Sequence, residues 1–305
     1  MTDSVVTRVA ALAALAAFTL SYLAVWIGSL WRMRGGSGMP ESRPSVPSLL
    51  HISTGLVTNF FDTLGIGSFA TTTSIFKFTR MVPDELIPGT LNAGHTLPTI
   101  FQAFIYISVI HVDSATLALM IAGAVTGAWF GAGWVAGLPK RKVQMGVGGA
   151  LLIAFLVMLV RQLDLFPAGG DALGLQGGKL VFAIVANGLF AAISTLGIGF
   201  YAPCMTLVSL LGMNPVAAFP IMMGSSAFLM PVASSRFVLR DAYSARVSLG
   251  LAAGGLLGVP VAAFVVKALP LATLRWLVMI IVLYAAQAML RGAFQTSGTQ
   301  SDPNV

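Results

Sequence analysis

Long, predominantly apolar runs follow one another along almost the whole chain. Residues 9–31 contain no charged side chain, and these 23 residues suffice for a helix that crosses about 30 Å of hydrocarbon. Further runs cover 50–79, 85–110, 114–138, 143–160, 180–212, 215–235, 247–266 and 271–290. In a bilayer only helices and closed barrels satisfy all backbone groups, and runs of this length exclude a barrel of alternating short strands. The sequence therefore predicts an all-α polytopic membrane protein.

Composition supports this prediction. Hydrophobic residues make up 57% of the chain and charged residues 9%, and the mean hydropathy is +0.89, whereas soluble domains carry about 25% charge. The net charge of +7 is typical of short cytoplasmic loops rich in Lys and Arg and does not indicate a nucleic-acid partner. The single cysteine, Cys204, excludes an internal disulfide framework and a thiolate metal cluster. We expect no cofactor and no metal.

A short segment occurs twice, inside two of the apolar runs. Thr-Leu-Gly-Ile-Gly stands at 63–67 and again at 195–199, and without a gap nine of the 27 positions from 62 to 88 match at this offset. Paired glycines weaken a helix, so both copies predict an interrupted helix. A duplicated interruption is typical of transporters built from two repeats. The alternative is chance similarity between glycine-rich apolar segments.

The distribution of Lys and Arg predicts how the interrupted runs cross the membrane. If 50–79 and 180–212 are re-entrant hairpins, twelve of the 17 basic residues fall on one side and five on the other. If every run spans the membrane, the numbers of Lys and Arg residues on the two sides are almost equal. The positive-inside rule therefore favours re-entrant hairpins, seven full spans, an N-terminus outside and a C-terminus in the cytoplasm. A hairpin plus three spans is an odd number of crossings, so the two repeats are expected to be inverted.

Two features of the spans leave alternatives open. Residues 9–31 read as a first transmembrane helix, and a cleaved signal peptide is the competing interpretation. Glycines recur every four residues at 123, 127 and 131 and at 250, 254 and 258. This spacing lets helices approach closely in lipid, either within the chain or across a dimer interface.

The residues beside the two interruptions are the first candidates for a binding site. Asp62, Thr63, Ser194 and Thr195 precede the glycines and are expected to cap the half-helices that follow. Two half-helix N-termini that face each other would bind a small oxyanion without Lys or Arg. Asp62 is either a carrier of a coupling proton or a helix cap.

A polar stripe in the following span is the second candidate. Asn92, His95, Thr99 and Gln102 are spaced three, four and three residues apart, so they share one face of a helix that Pro98 is expected to bend. His95 is either a substrate ligand and proton relay or a buried histidine bonded within the protein. The Ser/Thr run at 68–74 is expected to make hydrogen bonds between helices. The equivalent window in the second half holds Ser225 and Ser226.

Enzyme signatures are missing from the sequence. There is no His-Glu-x-x-His, no G-x-S-x-G elbow and no Walker A motif. We therefore expect a protein that is not an enzyme.

The segments Asn59-Phe-Phe-Asp-Thr-Leu-Gly-Ile-Gly-Ser68 and Val82-Pro-Asp-Glu-Leu-Ile-Pro-Gly-Thr-Leu-Asn-Ala-Gly-His95 resemble the TauE/SafE sulfite exporter family (TSUP) over residues 50–294. The resemblance implies secondary transport of a small sulfur-containing or organic anion, such as sulfite or sulfoacetate, coupled to an ion gradient across the bacterial inner membrane. Many members carry a longer glycine string at the interruption.

These observations together predict a transporter that exports its anion by alternating access, with H⁺ as the coupling ion through Asp62 and His95. The alternatives are an anion channel and an accessory membrane subunit. The predicted segments are an N-terminal helix and loop at 1–49, repeat A at 50–163, a linker at 164–179, repeat B at 180–294 and a polar tail at 295–305. The predicted substrate-binding residues are Asn59, Asp62, Thr63, Gly65, Gly67, Ser68, Asn92, His95, Ser194, Thr195, Gly197, Gly199, Ser225 and Ser226.

Overall fold

The computed structural model describes residues 2–34, 46–65, 67–83, 86–135, 170–194 and 200–268, with single residues and short pieces between 145 and 163 and between 276 and 294. Within these residues every regular element is a helix, and one isolated bridge pairs Ala172 with Met213. The runs predicted at 143–160 and 271–290 lie mostly outside the described residues, and the tail at 295–305 lies wholly outside them.

The helices are numbered in chain order within the described residues. They are α1 Thr2–Arg34, α2 Leu49–Thr63, α3 Ser68–Thr79, α4 Ile87–Val109, α5 Ser114–Val135, α6 Gly177–Ser194, α7 Tyr201–Leu210, α8 Ala218–Leu239 and α9 Ala245–Ala268. A 3-10 turn, Pro215–Ala217, precedes α8. The first predicted interruption is confirmed, because α2 and α3 stand where one long run was predicted. The second falls on residues 195–199, which lie outside the described residues. α1 is longer than its uncharged run, since its charged ends continue the helix on both sides.

Three helical stretches of the described residues are long and apolar enough to cross a membrane. They are Val9–Met33, Pro215–Leu239 and Ala245–Phe264, and two shorter apolar stretches are Ser114–Phe130 and Gly177–Ala192. The all-helical structure is thus consistent with the predicted helical membrane protein. The kind of membrane and the orientation of the termini stay predictions.

The chain forms two compact units. The first contains Met1–Ser114 and Met223–Ala268, and the second contains Ala115–Met222 and Leu269–Val305. The first unit therefore holds α1 to α4, most of α8, and α9. In this unit α9 packs along α2 and α4.

Glycines let α2 and α9 approach to backbone contact. A Cβ atom at Gly254 would collide with the backbone carbonyl of Ile52, and one at Gly258 would collide with that of Leu56. Backbone atoms cannot rotate away as a side chain can, so only glycine fits at these positions. The predicted role of this glycine spacing, packing within the chain, is confirmed for α9.

The outer ends of α2 and α3 lie against the same part of α9. At the start of α2, His51 contacts Gly250. Near the end of α3, Phe76 is fully buried in a cluster with Val247 and Leu251. The chain therefore begins α2 and ends α3 beside the same first turns of α9, as a re-entrant hairpin would.

α1 is attached to the first unit along one face. The Tyr22 hydroxyl donates to the carbonyl of Ala93 on α4 at 3.1 Å, and the Ser29 hydroxyl donates to that of Val238 on α8 at 3.4 Å. Tyr22 and Trp26 stack with ring centroids 5.6 Å apart and belong to a buried cluster. These contacts fix α1 beside the N-terminal half of α4.

In the second unit, α5 packs against α6 in the same way as α2 packs against α9. Gly123 lies against Ile184, and Gly127 lies against the backbone of Gly188. The Asn187 amide donates to the carbonyl of Met120 at 2.9 Å. Packing within the chain is thus confirmed for the first two glycines of the predicted trio in α5.

Candidate functional site

The interruption between α2 and α3 depends on two glycines. Gly65 has φ +90° and Gly67 has φ +89°, values that side-chain-bearing L-residues rarely adopt. The last turn of α2 is closed by the Gly65 amide, which donates to the carbonyl of Asp62 at 2.8 Å. Residue 66 is not among the described residues. A Cβ atom at Gly67 would meet no atom within 4 Å, so open space adjoins the backbone where α3 begins.

Asp62 caps α3 from the preceding helix. Its side chain is 2% exposed, and its Oδ1 accepts a hydrogen bond from the Ser68 amide, the first of α3. Its Oδ2 accepts from Gln102 Nε2 of α4 at 2.9 Å. A carboxylate at a helix N-terminus is stabilised by the unpaired N–H groups and the helix dipole. Of the two roles predicted for Asp62, the cap is the one that these contacts show.

The prediction that Thr63 caps the following half-helix is wrong. Thr63 is the last residue of α2. Its hydroxyl donates to the carbonyl of Asn59, one turn earlier, at 2.6 Å and accepts from Gln102 Nε2 at 3.0 Å. A threonine inside a helix commonly donates to the carbonyl four residues before it, and this local bond takes the place of capping.

Two side chains of α4 hold the end of α2. Gln102 donates to both Asp62 and Thr63, and the Tyr106 hydroxyl donates to the carbonyl of Thr63 at 3.0 Å. Gln102 is fully buried, and its Oε1 has no hydrogen-bond partner. Sequence reasoning did not find Tyr106, although it stands four residues after Gln102 and so continues the spacing of the polar stripe.

His95 joins α2 and α3 from α4. Its Nδ1 is 3.1 Å from Asn59 Oδ1, and its Nε2 is 3.0 Å from Thr72 Oγ1. Asn59 Nδ2 donates to the carbonyl of Gly55 at 2.8 Å, so its Oδ1 must accept. The bond to Asn59 assigns a proton to Nδ1, and in the neutral ring Nε2 then accepts from the Thr72 hydroxyl.

Both nitrogens of the buried imidazole are therefore bonded within the protein. Of the two roles predicted for His95, the buried histidine bonded within the protein is the one that these contacts show. The bond to Thr72 also confirms that the Ser/Thr run of α3 makes hydrogen bonds between helices. Thr99, on the same stripe, is 1% exposed, as expected for a stripe that faces the protein interior.

The remaining predicted residues of the first unit take different positions. Ser68 is buried, and its backbone amide rather than its hydroxyl makes the bond to Asp62. Asn92 is half-buried, and its carbonyl accepts from the hydroxyl of Thr96 at 2.7 Å. Ser225 and Ser226 are buried on α8, and Ser225 Oγ has no hydrogen-bond partner.

The second interruption is described only at its edges. α6 ends at Ser194 and α7 begins at Tyr201, which in the duplicated segment correspond to Asp62 and Phe69. Thr195, Gly197 and Gly199 lie outside the described residues, as does the side chain of Ser194. The predicted convergence of the two interruptions stays a prediction.

A cavity of about 480 Å³ lies in the second unit. Its lining includes Leu175, Gln176, Lys179 and Leu211, and Lys179 Nζ donates to the carbonyl of Leu211 at 3.4 Å. None of the predicted site residues lines it. The described part of the chain holds no group of three or more His, Cys, Asp or Glu side chains that fits a metal ion.

The region around α2, α3 and α4 is therefore the candidate functional site. Buried amides, hydroxyls and one carboxylate surround a helix interruption inside an apolar chain. Bonds of Asp62, His95, Gln102 and Tyr106 connect these three helices. Comparison of the chain with models of protein families, with curated proteins and with solved structures finds no match.

Proposed function

We propose that this protein is a secondary transporter of a small sulfur-containing or organic anion, of the TauE/SafE type, in the bacterial inner membrane. The observation that carries the proposal is the interrupted helix of an apolar chain, at which the N-terminus of α3 lies among buried polar side chains of α2 and α4. Irregular backbone at membrane depth is tolerated where protein or a water-filled cavity covers it, and transporters use it to bind their substrates.

The chemistry of the interruption fits an anion. A helix N-terminus offers unpaired N–H groups and partial positive charge, which sulfite or sulfonate oxygens accept readily. Open space adjoins Gly67 at this terminus.

The arrangement of α2 and α3 supports the re-entrant topology. Both outer ends of the pair lie against the first turns of α9, near Gly250 and Val247. Arg246 stands at the same end, where its Nε donates to the carbonyl of Val46 at 3.1 Å. In this proposal that end faces the cytoplasm, in accordance with the positive-inside rule.

Uptake into proteoliposomes tests the proposal. The purified protein is reconstituted and offered sulfite, sulfoacetate, taurine and acetate, with and without the same anion inside the vesicles. A carrier gives saturable uptake that internal substrate accelerates, whereas a channel gives no such acceleration. If none of the sulfur anions binds or moves, the proposed substrate is wrong.

Two glycine variants make this test specific for the interruption. Gly67→Ala places a side chain on backbone at φ +89°, ψ 133°, which costs about 1–3 kcal/mol although nothing obstructs the new methyl group. We expect at least a tenfold loss of uptake. The matched control is Gly28→Ala in α1, where a Cβ atom likewise meets nothing within 4 Å but the backbone is ordinary helix. Equal uptake by both variants would show that the backbone conformation at the interruption is not needed for transport.

A further inference from the structure

The N-terminus of α3, where the proposed function places the substrate, already holds an anionic group. Asp62 Oδ1 accepts the hydrogen bond of the Ser68 amide, so the carboxylate occupies the first donor that a substrate oxygen would use. Two negative charges at one buried site repel each other strongly. A substrate anion can therefore bind there only if the charge of Asp62 is removed.

A second observation shows how the structure accommodates that change. Gln102 Nε2 donates to Asp62 Oδ2, while Gln102 Oε1 is buried without a hydrogen-bond partner. The two atoms belong to one amide group, so the unpaired Oε1 is at the same end of the side chain as the nitrogen that bonds to the carboxylate. Oε1 is an acceptor, and the partner that it lacks is a donor. A protonated Asp62 is such a donor.

We propose that binding of the substrate anion at α3 is coupled to protonation of Asp62, with one proton for each singly charged anion. This inference rests on the proposed function. A proton from water joins the carboxylate, the resulting O–H donates to Gln102 Oε1, and the Ser68 N–H passes to a substrate oxygen. One negative charge leaves the site as one arrives, so the coupled step is electroneutral.

The groups that face Asp62 fit this exchange. Among the described residues they include the Ser68 amide of α3, the Gln102 amide of α4 and the hydroxyl of Tyr106, a titratable group that interacts electrostatically with the carboxylate. A further titratable side chain among the described residues of this region, His95, has both ring nitrogens bonded, to Asn59 and to Thr72. Asp62 is thus the group to which the structure assigns the proton.

The unmodified protein gives the first test. Methanesulfonate, whose sulfonate group does not titrate between pH 5 and 8, is added to the purified protein in weakly buffered solution with a pH-sensitive dye. We expect uptake of one proton for each bound anion. Binding without proton uptake would overturn the inference and leave the proposed function standing.

Flux through reconstituted variants gives the second test. In the unmodified protein, methanesulfonate uptake should rise with an inward proton gradient and be insensitive to a potassium diffusion potential. Asp62→Asn should lose the response to the proton gradient and become sensitive to the potential. It should also bind the anion at least about tenfold more tightly, because its neutral side chain does not repel the anion. Asp62→Glu should retain the coupling.

A control variant and two further results separate failure of the inference from failure of the proposed function. Asp113→Asn, which neutralises an exposed carboxylate between α4 and α5, should behave as the unmodified protein does. Uptake by Asp62→Asn that still follows the proton gradient would overturn the inference alone. If neither the unmodified protein nor Asp62→Asn binds any sulfur anion, the proposed function and the inference fall together.

Discussion

Replacement of His95 by alanine tests whether this side chain braces the helix interruption. The imidazole supplies both bonds that join α4 to Asn59 of α2 and to Thr72 of α3. Alanine removes both bonds and leaves two buried polar groups, Asn59 Oδ1 and Thr72 Oγ1, without these partners. It also leaves a cavity of the size of the ring, since His95 is fully buried.

The expected loss of stability follows from these contacts. Each buried polar group left unpaired costs about 1–3 kcal/mol, which sets an upper range of about 2–6 kcal/mol for the pair. Hydrogen bonds between helices in membranes average only about 0.6 kcal/mol, because the unfolded chain in lipid also finds partners, and this gives a lower limit of about 1 kcal/mol. Since the cavity adds to the lower limit, we expect about 2–4 kcal/mol.

The measurement is the midpoint of thermal unfolding in detergent micelles. At about 2–4 °C for each kcal/mol, the midpoint should fall by roughly 5–15 °C. His111→Ala is the matched control, because His111 is exposed in the loop after α4 and should shift the midpoint little. Transport by His95→Ala should be reduced even below its unfolding temperature, since α3 has lost its bond to α4.

Two results would refute this reasoning. A midpoint equal to that of His111→Ala would show that the two hydrogen bonds of His95 contribute nothing to stability. An unchanged midpoint with complete loss of transport would instead make His95 a residue that contacts the substrate or carries a proton.

Three further predictions concern packing, the end of α2 and topology. Gly254→Ala should destabilise the protein by about 1–3 kcal/mol, because its methyl group meets the Ile52 carbonyl, whereas the helix control Gly28→Ala should not lower the unfolding midpoint. Tyr106→Phe should lower the free energy of unfolding by about 1 kcal/mol and slow transport, because the Thr63 carbonyl at the end of α2 loses its hydrogen-bond donor. An unaltered flux would contradict this prediction. A reporter fused after Val305 should be active in the cytoplasm, and an external C-terminus would overturn the inverted topology.

Much of the fold followed from local features of the sequence. The apolar runs predicted the helices, and α4 and α5 begin within two residues of the predicted runs. The paired glycines predicted the interruption at 64–67, because positive φ angles and weak helix propensity are properties of glycine itself. The glycines spaced by four in α9 predicted a close helix contact.

The partners of the polar side chains did not follow from the sequence. Asp62 and Thr63 are adjacent and both suit a helix cap, yet Asp62 caps α3 while Thr63 bonds back to its own helix. Both side chains also accept from Gln102, about 40 residues away in the chain, and the spacing of the polar stripe was the only local sign of that partner.

The sequence by itself determined that this chain is apolar and helical and that the helix at 50–79 is interrupted, because these properties depend on neighbouring residues and on the surrounding solvent. Only the tertiary structure decided that α4 supplies the bonds that hold the first interruption, and that His95 serves there as a neutral bridge between α2 and α3. The physical reason is that a buried donor or acceptor takes whichever partner packing brings within reach, and packing is a property of the whole fold.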